Sequence, residues 1–83
     1  MAYKIDWSLH AAEFFVKLER EMQERILSKL EEAAENPRHY FSRLAGSEEH
    51  KLRVGDYRIV AFVLHSKEKI IVENIGHRKN VYK

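Results

Sequence analysis

The chain has no cysteine, a single proline and three glycines in 83 residues. Without cysteine there is neither a disulfide framework nor a thiolate zinc site, so a core this small must hold by packing alone. Glycine is too sparse for a Walker loop or a dinucleotide fingerprint, and no GxSxG elbow is present, so these nucleotide-cofactor and serine-hydrolase motifs are excluded. The five histidines, at 10, 39, 50, 65 and 77, show neither HExxH nor another paired short spacing, so no metal and no cofactor is expected. No apolar run approaches the length that crosses a bilayer, and the opening "MAYKIDWS" lacks the basic-then-apolar layout of a signal peptide. The expectation is a cytoplasmic protein without a membrane partner.

What is present is globular. Apolar residues make up 45% of the chain and charged residues 34%, a charge-rich composition outside the range of disorder. A chain of 83 residues buries enough surface for one domain, spanning 1–83, and not for two. Lys, Arg and Glu abundance with scarce Gly and Pro also suits a heat-adapted source. The net charge is only +2, so any case for nucleic-acid binding rests on where the charges fall.

Residues 2–7 alternate, with Tyr3, Ile5 and Trp7 on one side and Lys4 and Asp6 on the other, as in a half-buried strand. Ser8 can cap a first helix carrying Ala12, Phe15 and Leu18, and Met22, Ile26, Leu30 and Ala33 stripe a second. One continuous helix of about 28 residues, roughly 40 Å, would outrun so small a domain, so two are expected. "ENPRH" ends the second helix, because proline disfavours helical geometry at Asn36, and a loop should run to about Glu49. Strands are expected over 50–54, 57–64 and 70–76, the last two rich in Ile and Val. The predicted fold is α+β: two N-terminal helices on one face of a small, mainly antiparallel four-stranded sheet, in the chain order β-α-α-β-β-β.

The hairpin "KLRVGDYRIV" concentrates positive charge. With Gly55 and Asp56 as its central turn residues, Val54 faces Tyr57, Arg53 faces Arg58, Leu52 faces Ile59 and Lys51 faces Val60. Leu52, Val54, Tyr57, Ile59, Ala61 and Val63 then share the core face, and Lys51, Arg53 and Arg58 the other. Like charges opposed across a sheet destabilise it, so this cluster does not hold the hairpin together, and a phosphate would relieve the repulsion. If Leu64 pairs with Ile70, Asn74 and Gly76 join the face of Arg58 and Arg78 can reach the same surface; a shift of one residue sends it away. Trp7, Phe14, Phe15 and Tyr3 are expected in the core, and the acidic flank of the second helix in solvent.

"NPR" after the second helix, "RLAG" in the loop, "KLRVGDYRIV" across the hairpin and "IGHRKNVY" at the end together resemble the RelE-like toxins of the RelE/ParE toxin–antitoxin superfamily. The resemblance spans nearly the whole chain. It implies a metal-independent mRNA interferase that enters the ribosomal A site and cuts messenger RNA by attack of a ribose 2′-hydroxyl on the adjacent phosphodiester. It also implies a RelB-like antitoxin bound in a hetero-oligomer. Matched to the family pattern, the catalytic positions are Lys51, Arg58, Arg78 and Tyr82, with Arg53, His77 and Lys79 as RNA-binding residues. Glu49 departs from the pattern, standing where a second lysine is common; it is either a base or a counter-charge. His77 is a second candidate for proton transfer, or an ordinary surface residue. The same fold also carries ParE-like gyrase poisons without nuclease chemistry, and an inert antitoxin-binding module is a third possibility.

Overall fold

A computed structural model of the chain describes residues 2–43 and 49–77. Strand β1 (Lys4–Trp7) leads into helix α1 (Leu9–Val16), whose N-terminus is capped as the sequence predicts: the Ser8 hydroxyl accepts a hydrogen bond from the Ala11 amide at 3.0 Å. Helix α1 closes with short-range bonds from the Lys17 and Leu18 amides to the carbonyls of Phe14 and Phe15. Glu19 is extended, and α2 (Arg20–Glu35) begins behind it, while the Gln23 side chain donates back to the Phe15 carbonyl at 2.9 Å. The break expected between two helices is therefore real, made by backbone geometry and not by a Gly or Pro.

Two elements occupy the stretch expected to be loop. Pro37 both ends α2 and starts a one-turn helix α3 (Pro37–Tyr40), because its fixed φ and missing amide suit the first helical position. Strand β2 (Ser42–Arg43) follows, then β3 (Glu49–Val54), β4 (Tyr57–Leu64), a 3₁₀ turn over His65–Lys67, and β5 (Lys69–His77). The sheet thus has five strands instead of four, in the order β1-β5-β4-β3-β2. Only the β1–β5 pair is parallel, so the sheet is mainly antiparallel, as expected.

The β3–β4 hairpin has the predicted register throughout: Val54↔Tyr57, Arg53↔Arg58, Leu52↔Ile59 and Lys51↔Val60. Gly55 has φ +59, and among the described residues the only non-glycine with positive φ is Glu68, so the turn has the pattern of Gly at the first central position, as in type II′. Between β4 and β5 the pairing begins one residue from the conditional expectation, with Leu64 opposite Lys69 and Val63 opposite Ile70. A β-bulge then inserts Glu73: Ala61 pairs with Val72, but Val60 pairs with Asn74 and Arg58 with Gly76. Asn74 and Gly76 therefore do share the face of Arg58, through the bulge and not through the assumed register.

One face of the sheet, carrying Leu52, Val54, Ile59, Ala61, Val63, Ile70, Val72 and Ile75, packs with Ala11, Ile26, Leu30, Ala33, Ala34 and Phe41. Tyr3, Trp7, Phe14 and Phe15 lie partly buried against this core, with Trp7 and Phe15 edge-to-face at 5.0 Å, which agrees with their expected core role. Alternation sends every second residue of the central strands to the opposite face, where the candidate site lies.

Candidate functional site on the sheet face away from the helices

Three rows cross this face. Arg53, Arg58 and Gly76 form one; Ser42, Lys51, Val60 and Asn74 the next; Glu49, Phe62, Ile71 and Asp6 the third. The hairpin register thus brings Lys51, Arg53 and Arg58 together, as the sequence predicts. Arg53 is exposed and Lys51 half-buried, but Arg58 is only 7% exposed and is the one buried polar or charged residue in the described core. Gly76, opposite Arg58, adds no side chain between the guanidinium and its surroundings. A buried guanidinium beside a second one is costly for folding, and an arginine fork is suited to gripping a phosphate oxygen pair.

The residue that sequence reasoning missed is Glu73. Its bulge is pinned from the helix side: the Ser8 hydroxyl donates to the Glu73 carbonyl at 2.7 Å, and the Ser8 amide donates to the Val72 carbonyl at 2.8 Å. The same serine therefore caps α1 and fixes the irregularity in β5. The bulge sets the Glu73 carboxyl against that of Glu49, within hydrogen-bonding reach. Burial, then the charge of Glu49 and the hydrogen bond to it, hold the Glu73 carboxyl above the usual glutamate range. Its Oε2 atom is buried with no donor on it. Two ionised carboxylates offer each other no hydrogen, so a hydrogen bond between Glu49 and Glu73 requires one of the pair to be protonated. The only sequence signal was an acidic residue inside the apolar run "IIVENI".

A raised carboxyl pKa fixes the sign of a stability effect. The folded state binds the Glu73 proton more tightly than the unfolded chain, so its contribution is most favourable in acid and is lost as pH rises through the folded pKa. Glu73→Gln keeps a neutral partner for Glu49 and removes that loss. Thermal melts are expected to show the variant matching the parent in mild acid and exceeding it at pH 8; identical pH dependence of the two would place no titration at this position.

His77 is not brought to this face. It pairs with Tyr57 in the row that includes Val54, on the helix side, with the Tyr57 and His77 rings edge-to-face at 5.5 Å. Arg78, Lys79 and Tyr82 lie outside the described residues. At the far end of the face, Lys69 Nζ meets Asp6 Oδ2 at 2.8 Å, joining β5 to β1 and holding the Asp6 carboxyl below the usual range. Among the described residues, no group of three or more His, Asp or Glu side chains could hold a metal ion, and no helix is long and apolar enough to cross a membrane.

A family model described as the ParE toxin of the type II toxin–antitoxin system parDE matches residues 5–82. The mRNA interferase toxin RelE of Escherichia coli (strain K12) is 33% identical over 82 residues, covering 95% of this chain and 86% of the relative. Among solved structures, the isolated E. coli RelE toxin superposes with a TM-score of 0.80 at 30% identity, over 98% of this chain and 92% of that one. The toxin in the intact E. coli RelBE toxin–antitoxin complex gives 0.77 at 30% identity, over 92% and 96%. The archaeal RelE–RelB complex from Pyrococcus horikoshii OT3 gives 0.81 at 18% identity, over 96% and 99%, a likeness of fold.

Proposed function

The chain belongs to the RelE/ParE family of type II toxin–antitoxin toxins, and from that premise we propose that it is a ribosome-dependent endoribonuclease that cleaves mRNA in the A site. The observation that carries this reading is the convergence of Lys51, Arg53 and the buried Arg58 on one sheet face beside the Glu49–Glu73 carboxyl pair. This combination supplies both charge stabilisation and a proton acceptor.

In the proposed reaction the substrate's 2′-oxygen attacks the adjacent phosphorus while its proton passes to the carboxyl pair, with Glu49 as the accepting group. The 2′-O–P bond forms, the P–O5′ bond breaks, the departing O5′ takes a proton from water, and the products are a 2′,3′-cyclic phosphate and a 5′-hydroxyl. The phosphorane carries more negative charge on its nonbridging oxygens than the substrate does, so a guanidinium fixed at that position lowers the barrier. Arg58 takes this role, because burial holds it in place and strengthens its field. Lys51 eases ionisation of the 2′-hydroxyl, and Arg53, more exposed, grips a flanking phosphate. By the family pattern Arg78 neutralises the departing O5′, Tyr82 offers a ring for base stacking worth about 1–3 kcal/mol, and Lys79 adds a phosphate contact. The family pattern also gives His77 to RNA binding at the strand end, although its ring lies with Tyr57 on the helix side of the sheet, away from Lys51 and Arg58. The chemistry needs no metal.

With a net charge of only +2, this protein leaves much of the substrate positioning to the ribosome, so naked RNA is a poor substrate. Its partners on this reading are the ribosome with mRNA and a RelB-like antitoxin, held in a cytoplasmic hetero-oligomer. The complexes of RelE relatives with their antitoxins support that assignment. The ParE name of the matching family model favours a second reading, gyrase poisoning without phosphodiester chemistry. Induced expression without antitoxin, followed by mapping of transcript 5′ ends, separates them. Codon-phased cuts confined to translated RNA are the expected result; DNA damage with intact messages supports gyrase poisoning and overturns the nuclease, and unimpaired growth leaves an inert module.

A further inference from the structure

We propose that the cavity at the α3 end of the sheet is a second anion site, one that binds a phosphate group through Arg38, Arg43, His50 and His65. The cavity has a volume of about 320 Å³ and a floor of Phe41 and Val63. His50 pairs with Ala61 and Arg43 with His50, in the row structure that faces the helices, so this site and the Lys51–Arg58 cluster lie on opposite faces of the sheet. The proposal stands whether or not the chain cleaves RNA.

Four elements each bring one cationic or imidazole group to the cavity: α3, β2 and β3, which follow one another along the chain, and the 3₁₀ turn beyond β4. Pro37, Phe41 and Val63 complete the lining between these groups. Two guanidiniums supply planar donor forks of the kind that match phosphate oxygens. The imidazoles of His50 and His65 stand edge-to-face with centroids 6.5 Å apart. His65 is oriented from behind: its Nδ1 lies 2.9 Å from the Tyr3 hydroxyl. With that hydroxyl donating to Nδ1, the neutral ring carries its hydrogen on Nε2, leaving a donor for a ligand.

The electrostatics agree with the geometry. Burial first, then the positive charges of Arg38 and His50, press the His65 pKa below the usual histidine value. Arg38 on α3 and His50 on β3 set this balance, and Arg43 on β2 and the Tyr3 hydroxyl before β1 are the other polar groups beside the ring. An oxyanion among them reverses the balance and favours the protonated His65 imidazole, whose Nε2 hydrogen then donates to a charged acceptor. A phosphate has the charge and the number of acceptor oxygens to engage all four residues at once. It can be a free phosphate or phosphomonoester, or a phosphodiester of an RNA backbone.

The test is NMR titration of the histidine Cε1–H signals against pH in the full chain, in an Arg58→Ala background that weakens binding on the opposite face. Spectra are taken without anion, with inorganic phosphate, and with phosphate plus a short single-stranded RNA. The expected result is that phosphate raises the His65 midpoint and that Arg38→Ala, at an exposed position, weakens phosphate binding about tenfold or more. RNA that displaces the phosphate identifies a backbone phosphodiester as the ligand; phosphate binding indifferent to RNA identifies a small phosphate. A His65 midpoint that ignores phosphate, or responds equally in Arg38→Ala, overturns the site.

Discussion

Arg58→Ala is expected to lower single-turnover cleavage on programmed ribosomes by about 10²–10³-fold, the loss seen when one fixed donor to a transition-state oxyanion is removed. The fold is expected to persist, for a reason specific to this position. Arg58 is 7% exposed, so truncation removes the packing of its aliphatic stem, but it also removes a charge lying directly opposite Arg53. The two effects oppose one another, and the melting temperature should move by only a few degrees. Arg58→Lys keeps the charge and loses the fork, and should fall between the parent and the alanine variant. Arg53→Ala supplies the contrast: an exposed group that grips a flanking phosphate affects ribosome-bound substrate affinity more than the rate of the bound complex. Parental cleavage by Arg58→Ala would remove this guanidinium from the chemistry and leave its burial without a functional reason.

The hairpin was the most legible part of the molecule. A glycine able to take positive φ, flanked by runs of period two, leaves one pairing that keeps Leu52, Val54, Ile59 and Ala61 on the same side, and the structure has it. The cap at Ser8 and the two-helix division were legible for similarly local reasons, since caps and domain size constrain where a helix can stop. The elements that escaped are those without a period. A two-residue strand such as β2 cannot show alternation, and a one-turn helix at Pro37 is announced by the same residue that announces a helix end. The β5 bulge escaped for a deeper reason. Alternation assumes one residue per step, and nothing in "IIVENIGH" marks where an extra residue enters. The tertiary bonds from Ser8 place it there, and the one to the Glu73 carbonyl links residues 65 positions apart. Glu73 was therefore invisible as a site residue until the bulge put it beside Glu49.

That pairing makes Glu49→Gln the second large effect. A general base in a positioned complex contributes about 10²–10⁴-fold, and the amide cannot accept the 2′-hydroxyl proton, so single-turnover cleavage should fall within that range while ribosome binding survives. Glu73→Gln should act differently, because it keeps a hydrogen-bonding partner at Glu49 and removes only the competing negative charge. Its single-turnover cleavage is expected to stay within a few-fold of the parent, because Glu49 keeps both its carboxylate and a neutral neighbour. The opposing account makes Glu49 a counter-charge for Lys51 and its neighbours. On that account Glu49→Gln tightens RNA binding, steepens its salt dependence and leaves the rate of the bound complex within a few-fold of the parent. The measurements divide cleanly because the two roles draw on different properties of one carboxylate. A base needs an available lone pair at the reacting oxygen, whereas a counter-charge needs only its field, and Glu49→Asp, which keeps the field but withdraws the oxygen by one methylene, should lose rate under the first account and little under the second.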